Sequence, residues 1–104
     1  MSGKPSVTYT KLFINNEFVD AFSGRTFATI DPSDEEEIAQ IAEGDREDVD
    51  LAVKAARDAF QIGSKWRTLD ASARGKMIFK LAALMERDKE YIARLDTVDN
   101  GKTF

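Results

Sequence analysis

The chain predicts an α+β fold, with short antiparallel strands first and helices second. Three observations carry this. The first forty residues hold short apolar runs separated by turn residues. At Glu43-Gly44-Asp45 the apolar period changes from two to three-and-four. From there to Asn100-Gly101, apolar residues return at helical spacing with a cap signal at each end.

In order, residues 1–10 are polar and are expected to form a flexible tail, with the folded part spanning 11–104. Within Lys11–Asp20 two short apolar runs flank Asn15-Asn16; because Asn tolerates positive φ, the segment reads as a tight hairpin. Ser23-Gly24 marks a turn and Thr26–Ile30 a strand. Asp31-Pro32-Ser33-Asp34 is a turn, since Pro presets φ and Asp bonds its own backbone locally. The acidic run Glu35-Glu36-Glu37 leads into a strand, Ile38–Ala42. Asp45 is an N-cap, with Glu47 and Asp48 in the first turn where the helix dipole favours acids. Val49, Ala52, Val53, Ala56 and Phe60 share a face, and Gly63 is expected to end that helix. Leu69-Asp70 reads as a staple and cap for the next helix, whose stripe is Met77, Ile78, Leu81, Leu84 and Met85. Asp88 is expected to interrupt or re-cap it, with Ile92, Leu95 and Val98 continuing the pattern. Two or three helices result, and their apolar face is wider than such short strands can cover. The chain therefore expects more protein around it.

Composition excludes several chemistries. The 104 residues contain no cysteine and no histidine, which removes thiolate nucleophiles, imidazole bases and soft metal sites. Gly3, Gly24, Gly44, Gly63, Gly75 and Gly101 are too widely spaced for any phosphate-cradling glycine loop. The formal charge of -4 argues against nucleic acid, and no apolar run approaches the roughly 20 residues needed to span a bilayer. Without cysteines, a leader-like apolar segment or an arginine-rich start, the chain reads as cytoplasmic.

Each candidate site has a plainer reading. Glu35-Glu36-Glu37 offers carboxylates to a cation but reads better as a solvated turn. Asp96 and Asp99, three apart, would do acid–base work only if burial split their pKa values. Trp66, Arg67 and Arg74 suggest a cation–π or anion-binding cluster; the structural alternative has Trp66 plugging the turn between helices and Arg74 pairing with an acid or a carbonyl. Ser64 and Ser72 lack a histidine to activate them.

From Lys11 onward the chain resembles the N-terminal segment of NAD-dependent aldehyde dehydrogenases, most like the cytosolic retinal-oxidising branch. The matching blocks are Phe13-Ile14-Asn15-Asn16-Glu17, Asp31-Pro32, Glu43 to Asp50, Ala52 to Arg57, Ala59 to Ser64, Trp66-Arg67, Asp70-Ala71-Ser72, Arg74-Gly75, Glu86-Arg87-Asp88 and Asp99 to Lys102. The departures are Lys65, where relatives often have Pro, and Asp96, where they usually have Glu. The resemblance implies the outer strands and helices of a cofactor-binding domain, so that 11–104 would be an incomplete piece of it. It implies a parent that oxidises aldehydes to carboxylic acids with NAD and assembles as a homotetramer. The catalytic and NAD-binding residues would lie outside this chain, which alone would be inactive. The partners implied are the remainder of the dehydrogenase chain and an aldehyde substrate. One site carries over: a structural cation held by backbone carbonyls matching Thr29 and Ile30 and by the Asp99 carboxylate, oxygens that suit a hard cation. The alternative from another class is a non-catalytic structural or interaction protein, crystallin-like or truncated, that binds a partner through its helix stripe.

Overall fold

The structure, a computed structural model, describes residues 4–104. Strands β1 (Leu12–Ile14) and β2 (Glu17–Val19) form one antiparallel pair, and β3 (Thr26–Ile30) and β4 (Glu37–Ala42) form a second. Helices α1 (Arg46–Ala59), α2 (Lys65–Thr68) and α3 (Ala71–Asn100) follow. Asn15 and Asn16 both take positive φ, 51° and 64°, as a two-residue turn matched to strand twist requires. Residue pairing then runs Leu12 with Val19 and Ile14 with Glu17. The β3–β4 register shifts between Thr29, opposite Ala39, and Ile30, opposite Glu37, so Ile38 is one residue more than β3 can pair. The Ala42 amide donates to the Thr10 carbonyl at 2.8 Å and Glu43 to Arg25 at 2.9 Å, which stitches the two hairpins together.

Helix α1 begins as expected. The Asp45 amide donates to Asp48 Oδ2 at 3.0 Å in a capping box. Asp48 does more than close the box. It is buried, and its Oδ1 accepts the Phe22 amide at 3.0 Å, fixing the helix start against the chain that leaves β2.

Three expectations are corrected. Helix α1 stops at Ala59 with Phe60 as its C-cap, and Gly63 (φ 87°) instead turns the chain into α2. That turn is itself helical: Ser64 caps Lys65–Thr68, and Trp66, 39% exposed, sits on α2 rather than in a loop. Asp88 neither breaks nor re-caps α3, which runs unbroken for 30 residues. A half-buried mid-helix Asp costs under about 0.7 kcal/mol of propensity, and here Arg87 pairs with it at 2.9 Å. Asp70 occupies the N-cap position of α3 without a side-chain bond. The Arg74 guanidinium donates to the Leu69 carbonyl at that end. At the other end Gly101 is left-handed (φ 79°), a conformation that favours glycine, and a Cβ there would lie tightly, 3.0 Å, against Pro32 Cγ.

The packing is sparse. The radius of gyration is 17.3 Å, against about 13 Å for a compact domain of this length. The only buried apolar residues among those described are Ala21, Ala42 and Val98. Helix α3 touches the rest of the fold mainly through its last turns, leaving Met77, Ile78, Leu81, Leu84 and Met85 exposed. This is the uncovered stripe that the sequence anticipates.

Asp48→Ala is expected to strand the Phe22 and Asp45 amides and to destabilise the fold by about 1–3 kcal/mol. Urea unfolding followed by far-UV circular dichroism measures this, and a change under about 0.5 kcal/mol would refute the role given to Asp48.

Candidate cation site and the cleft beside it

The β3–β4 hairpin and the last turn of α3 meet at Thr29 and Asp99. Thr29 Oγ1 donates to Asp99 Oδ1 at 2.9 Å, across 70 positions of sequence. Beside this bond an apolar cleft is lined by Pro5, Val7, Phe27, Ile38, Leu95 and Val98. Strand alternation brings Phe27 and Thr29 to one side of β3. Helical periodicity brings Leu95, Val98 and Asp99 to one side of α3. Asp96 also lines the cleft.

Of the three residues expected to hold a cation, the structure brings Thr29 and Asp99 together, and Ile30 follows Thr29 at the bulge. One Asp99 oxygen is engaged by the Thr29 hydroxyl, which leaves the second for other partners. Among the described residues, no three His, Cys, Asp or Glu side chains gather closely enough to hold a metal. A cation here would therefore depend on backbone oxygens.

The other candidates separate. Glu35 sits at positive φ (63°) in the turn, and Glu35, Glu36 and Glu37 are all exposed, as the solvated reading expects. Arg67 stacks on Phe60, 4.4 Å from the ring centroid, rather than joining Trp66. Arg74 takes a carbonyl partner, as the structural alternative has it.

The sequence reading missed a cluster built on the N-terminal segment. Lys4 Nζ lies 3.0 Å from Asp31, 2.8 Å from Asp34 and 3.8 Å from Glu36. Asp31 is buried, and its Oδ1 also accepts the Ser33 amide at 2.9 Å and the Ser33 hydroxyl at 2.8 Å. These Ser33 donors first, and then Lys4, hold the Asp31 carboxyl down at about 2. Lys4, reached first by Asp34 and then by Asp31, is shifted above its ordinary value, and Asp34 is lowered chiefly by Lys4. Residues 4–10 have no regular secondary structure, yet the Tyr91 hydroxyl donates to the Ser6 carbonyl, and Tyr9 stacks on Phe18 at 4.7 Å. Residues 1–3 of the expected tail lie outside the described residues. A sequence signal existed in Asp31-Pro32-Ser33-Asp34, an Asx turn with two carboxylates on one side, but nothing in it named Lys4 as the partner.

Among the described residues no phosphate cradle forms. The positive-φ glycines Gly24, Gly63 and Gly101 sit in three separate turns. The α1 N-terminus, where a pyrophosphate would gain from the helix dipole, already carries Asp45, Glu47 and Asp48. These residues do not fit NAD.

With the geometry in view, comparison with known proteins defines the class. A family model described as the aldehyde dehydrogenase family matches residues 18–104. The chain belongs to that family. It is 57% identical over 101 residues to mitochondrial aldehyde dehydrogenase of Equus caballus, covering 97% of this chain and 20% of the relative. It is 55% identical to Homo sapiens aldehyde dehydrogenase 1A1, covering 94% and 20%. Among solved structures, an aldehyde dehydrogenase mutant from Bacillus cereus superposes with TM-score 0.87 at 44% identity, covering 91% of this chain and 19% of that one. Betaine aldehyde dehydrogenase from Staphylococcus aureus in complex with NAD+ gives 0.85 at 36%, covering 90% and 18%. The chain thus spans about a fifth of the length of its relatives, and its strands and helices match the N-terminal part of their fold.

Asp31 contributes stability in full above its ordinary value of 3.8 and loses it as pH falls through about 2. Lys4 contributes in full below its ordinary 10.5 and loses it only as pH rises through its raised value. The cluster is therefore intact between roughly pH 4 and 10. The Ser33 amide resonance is expected to titrate with a midpoint near 2, and Lys4→Met is expected to move that midpoint upward. An unmoved midpoint would show that Lys4 does not reach Asp31. Separately, Thr29→Val is expected to speed hydrogen exchange in 95–100 several-fold, while exchange within α1 stays unchanged.

Proposed function

We propose that this chain is the N-terminal part of an oxidoreductase that oxidises aldehydes to carboxylic acids with NAD. The observations that carry the reading are the family match over 18–104 and the 55–57% identity over 98–101 residues to aldehyde dehydrogenases. The segment's own task is structural. Its hairpins and helices form an outer layer of the enzyme, and the nucleophile and the NAD contacts come from elsewhere in the parent. Having neither cysteine nor histidine, the segment cannot start acyl chemistry by a thiolate or an imidazole-activated hydroxyl. Hydride transfer to the nicotinamide is the chemistry that NAD supplies when bound; this chain's residues shape and support the fold around it. The parent acts as a homo-oligomer, a tetramer by family pattern. We place it in the cytoplasm, with relatives of both cytosolic and mitochondrial name. No helix among the described residues is long and apolar enough to cross a membrane.

Thr29 and Ile30 through their carbonyl oxygens, and Asp99 through its carboxylate, are proposed as the chain's contribution to a hard structural cation. The Thr29–Asp99 bond supports the reading by bringing strand and helix oxygens together.

A second reading is a non-catalytic structural or interaction protein, crystallin-like or a truncated family product. The uncovered α3 stripe is what favours it. The intact mass of the native protein separates the two: a species several times heavier supports the enzyme reading, and one of this chain's own mass supports the second.

The purified chain is expected to give no NAD reduction with any aldehyde. A chimera in which it replaces the matching segment of human mitochondrial aldehyde dehydrogenase is expected to keep activity within about tenfold (1.4 kcal/mol) of the parent. Turnover by the isolated chain, or a folded but dead chimera, would overturn the reading. For the cation, Asp99→Asn in the chimera is expected to abolish any rise in melting temperature between potassium- or sodium-free buffer and the same buffer with the ion restored.

A further inference from the structure

Asn100-Gly101 is the one place in the sequence where an asparagine precedes a glycine; Asn15 and Asn16 are followed by Asn and Glu. Such a pair is chemically prone to lose its side-chain amide. The backbone nitrogen of the following residue attacks the asparagine Cγ, and glycine alone has no Cβ to crowd that approach. Asn100 is exposed, so solvent water and hydroxide reach it.

The fold holds this linkage in an unreactive arrangement. Asn100 is the last residue of α3, and a helical backbone directs the next nitrogen away from the residue's own Cγ. That nitrogen, Gly101 N–H, donates to the Thr97 carbonyl at 3.0 Å in the left-handed cap. Asn100 Oδ1 accepts the Lys102 amide at 2.9 Å, which fixes the side chain. Gly101 packs against Pro32, and the Arg94 guanidinium lies over the Phe104 ring at 5.2 Å, so the segment after α3 is pinned on both sides of the cap. Attack therefore requires the cap to open, and the cap opens when the end of α3 leaves β3. The Thr29–Asp99 bond, one residue before Asn100, restrains that opening.

We propose that Asn100 is a self-modification site, converted to aspartate and isoaspartate at a rate gated by the contact between β3 and the end of α3. Hydroxide takes the Gly101 amide proton, the nitrogen forms a bond to Asn100 Cγ, and the Cγ–Nδ2 bond breaks to release ammonia. The cyclic imide then takes up water. Opening at the side-chain carbonyl gives aspartate, and opening at the main-chain carbonyl gives isoaspartate, so water enters and ammonia leaves. Either product places a new carboxylate beside Asp99 at the negative end of the helix dipole, where the last turn holds no basic residue. Isoaspartate also adds a methylene to the main chain, which moves Gly101 out of its cap. The product thus loosens the contact that restrained the reaction. This chemistry belongs to the chain itself and is independent of the family reading.

The test follows the full 104-residue chain beside a free peptide of residues 97–104 in mildly alkaline buffer. Peptide mapping by mass spectrometry reads the exchange of the amide for a carboxyl, and enzymatic methyl labelling reads isoaspartate. The folded chain is expected to convert roughly tenfold or more slowly than the peptide, because only locally opened molecules react. Thr29→Val is expected to speed conversion several-fold, while Lys54→Ala, on exposed α1, leaves it unchanged. In graded urea the rate in the unaltered chain should rise in step with hydrogen exchange of the Gly101 amide, a readout that needs no variant. Asn100→Asp is expected to speed exchange across 95–100. Equal rates in chain and peptide would overturn the gating. A rate in Thr29→Val no faster than in the unaltered chain would overturn the choice of the β3 contact as the gate. No conversion in the chain even in urea that opens the cap would overturn the site itself.

Discussion

The fold hangs on the contact between β3 and the last turn of α3. There Val98 is buried and Asp99 accepts the Thr29 hydroxyl. A few residues before it, the Tyr91 hydroxyl reaches the Ser6 carbonyl. Just after it, Gly101 packs against Pro32. Three stretches far apart in sequence, the N-terminal segment, the β3–β4 hairpin and the end of α3, converge on this one corner. Among the described residues, the long apolar stripe N-terminal to this corner is left uncovered.

A second anchor works by different means. Asp48 is buried and forms no ion pair among the described residues. It is accommodated because both its oxygens accept backbone amides, Phe22 and Asp45, that would otherwise go unpaired. Asp31 solves the same problem with two Ser33 donors and Lys4. In both places a short acid closes a turn and then reaches across to a second segment. Local capping chemistry therefore also serves as tertiary connection, in a chain whose apolar core is too small to do so.

The division between polar anchors and uncovered apolar faces is what joins structure to function. The corners that hold strands to helices are satisfied within the chain, with no buried side-chain polar atom left without a partner among the described residues. The apolar surfaces are not satisfied. Buried side-chain polar groups are paired while apolar faces stay open, and the comparisons match these elements to the N-terminal part of the relatives' fold. The composition supplies neither a thiolate nor an imidazole, and the N-terminus of α1 is occupied by acids.

Much of the architecture was legible in the sequence because it is set by local chemistry. Asn15-Asn16 could adopt left-handed φ and made the hairpin; Asp45 capped α1; Gly101 stopped α3. The family was legible from the order and spacing of its blocks. What tertiary structure alone decided involves partners that no local pattern names. Lys4 found Asp31 and Asp34 across the fold, Thr29 found Asp99, and Asp48 turned from a capping residue into a tie between helix and hairpin. Asp88 shows the same limit from the other side. Its local preference is to end a helix, and the continuity of 30 hydrogen-bonded residues, with Arg87 beside it, outweighed that preference. Local rules fix conformations worth a few tenths to one kcal/mol each; which segments meet is decided by burial and pairing between residues distant in the chain, and those energies exist only once the fold has formed.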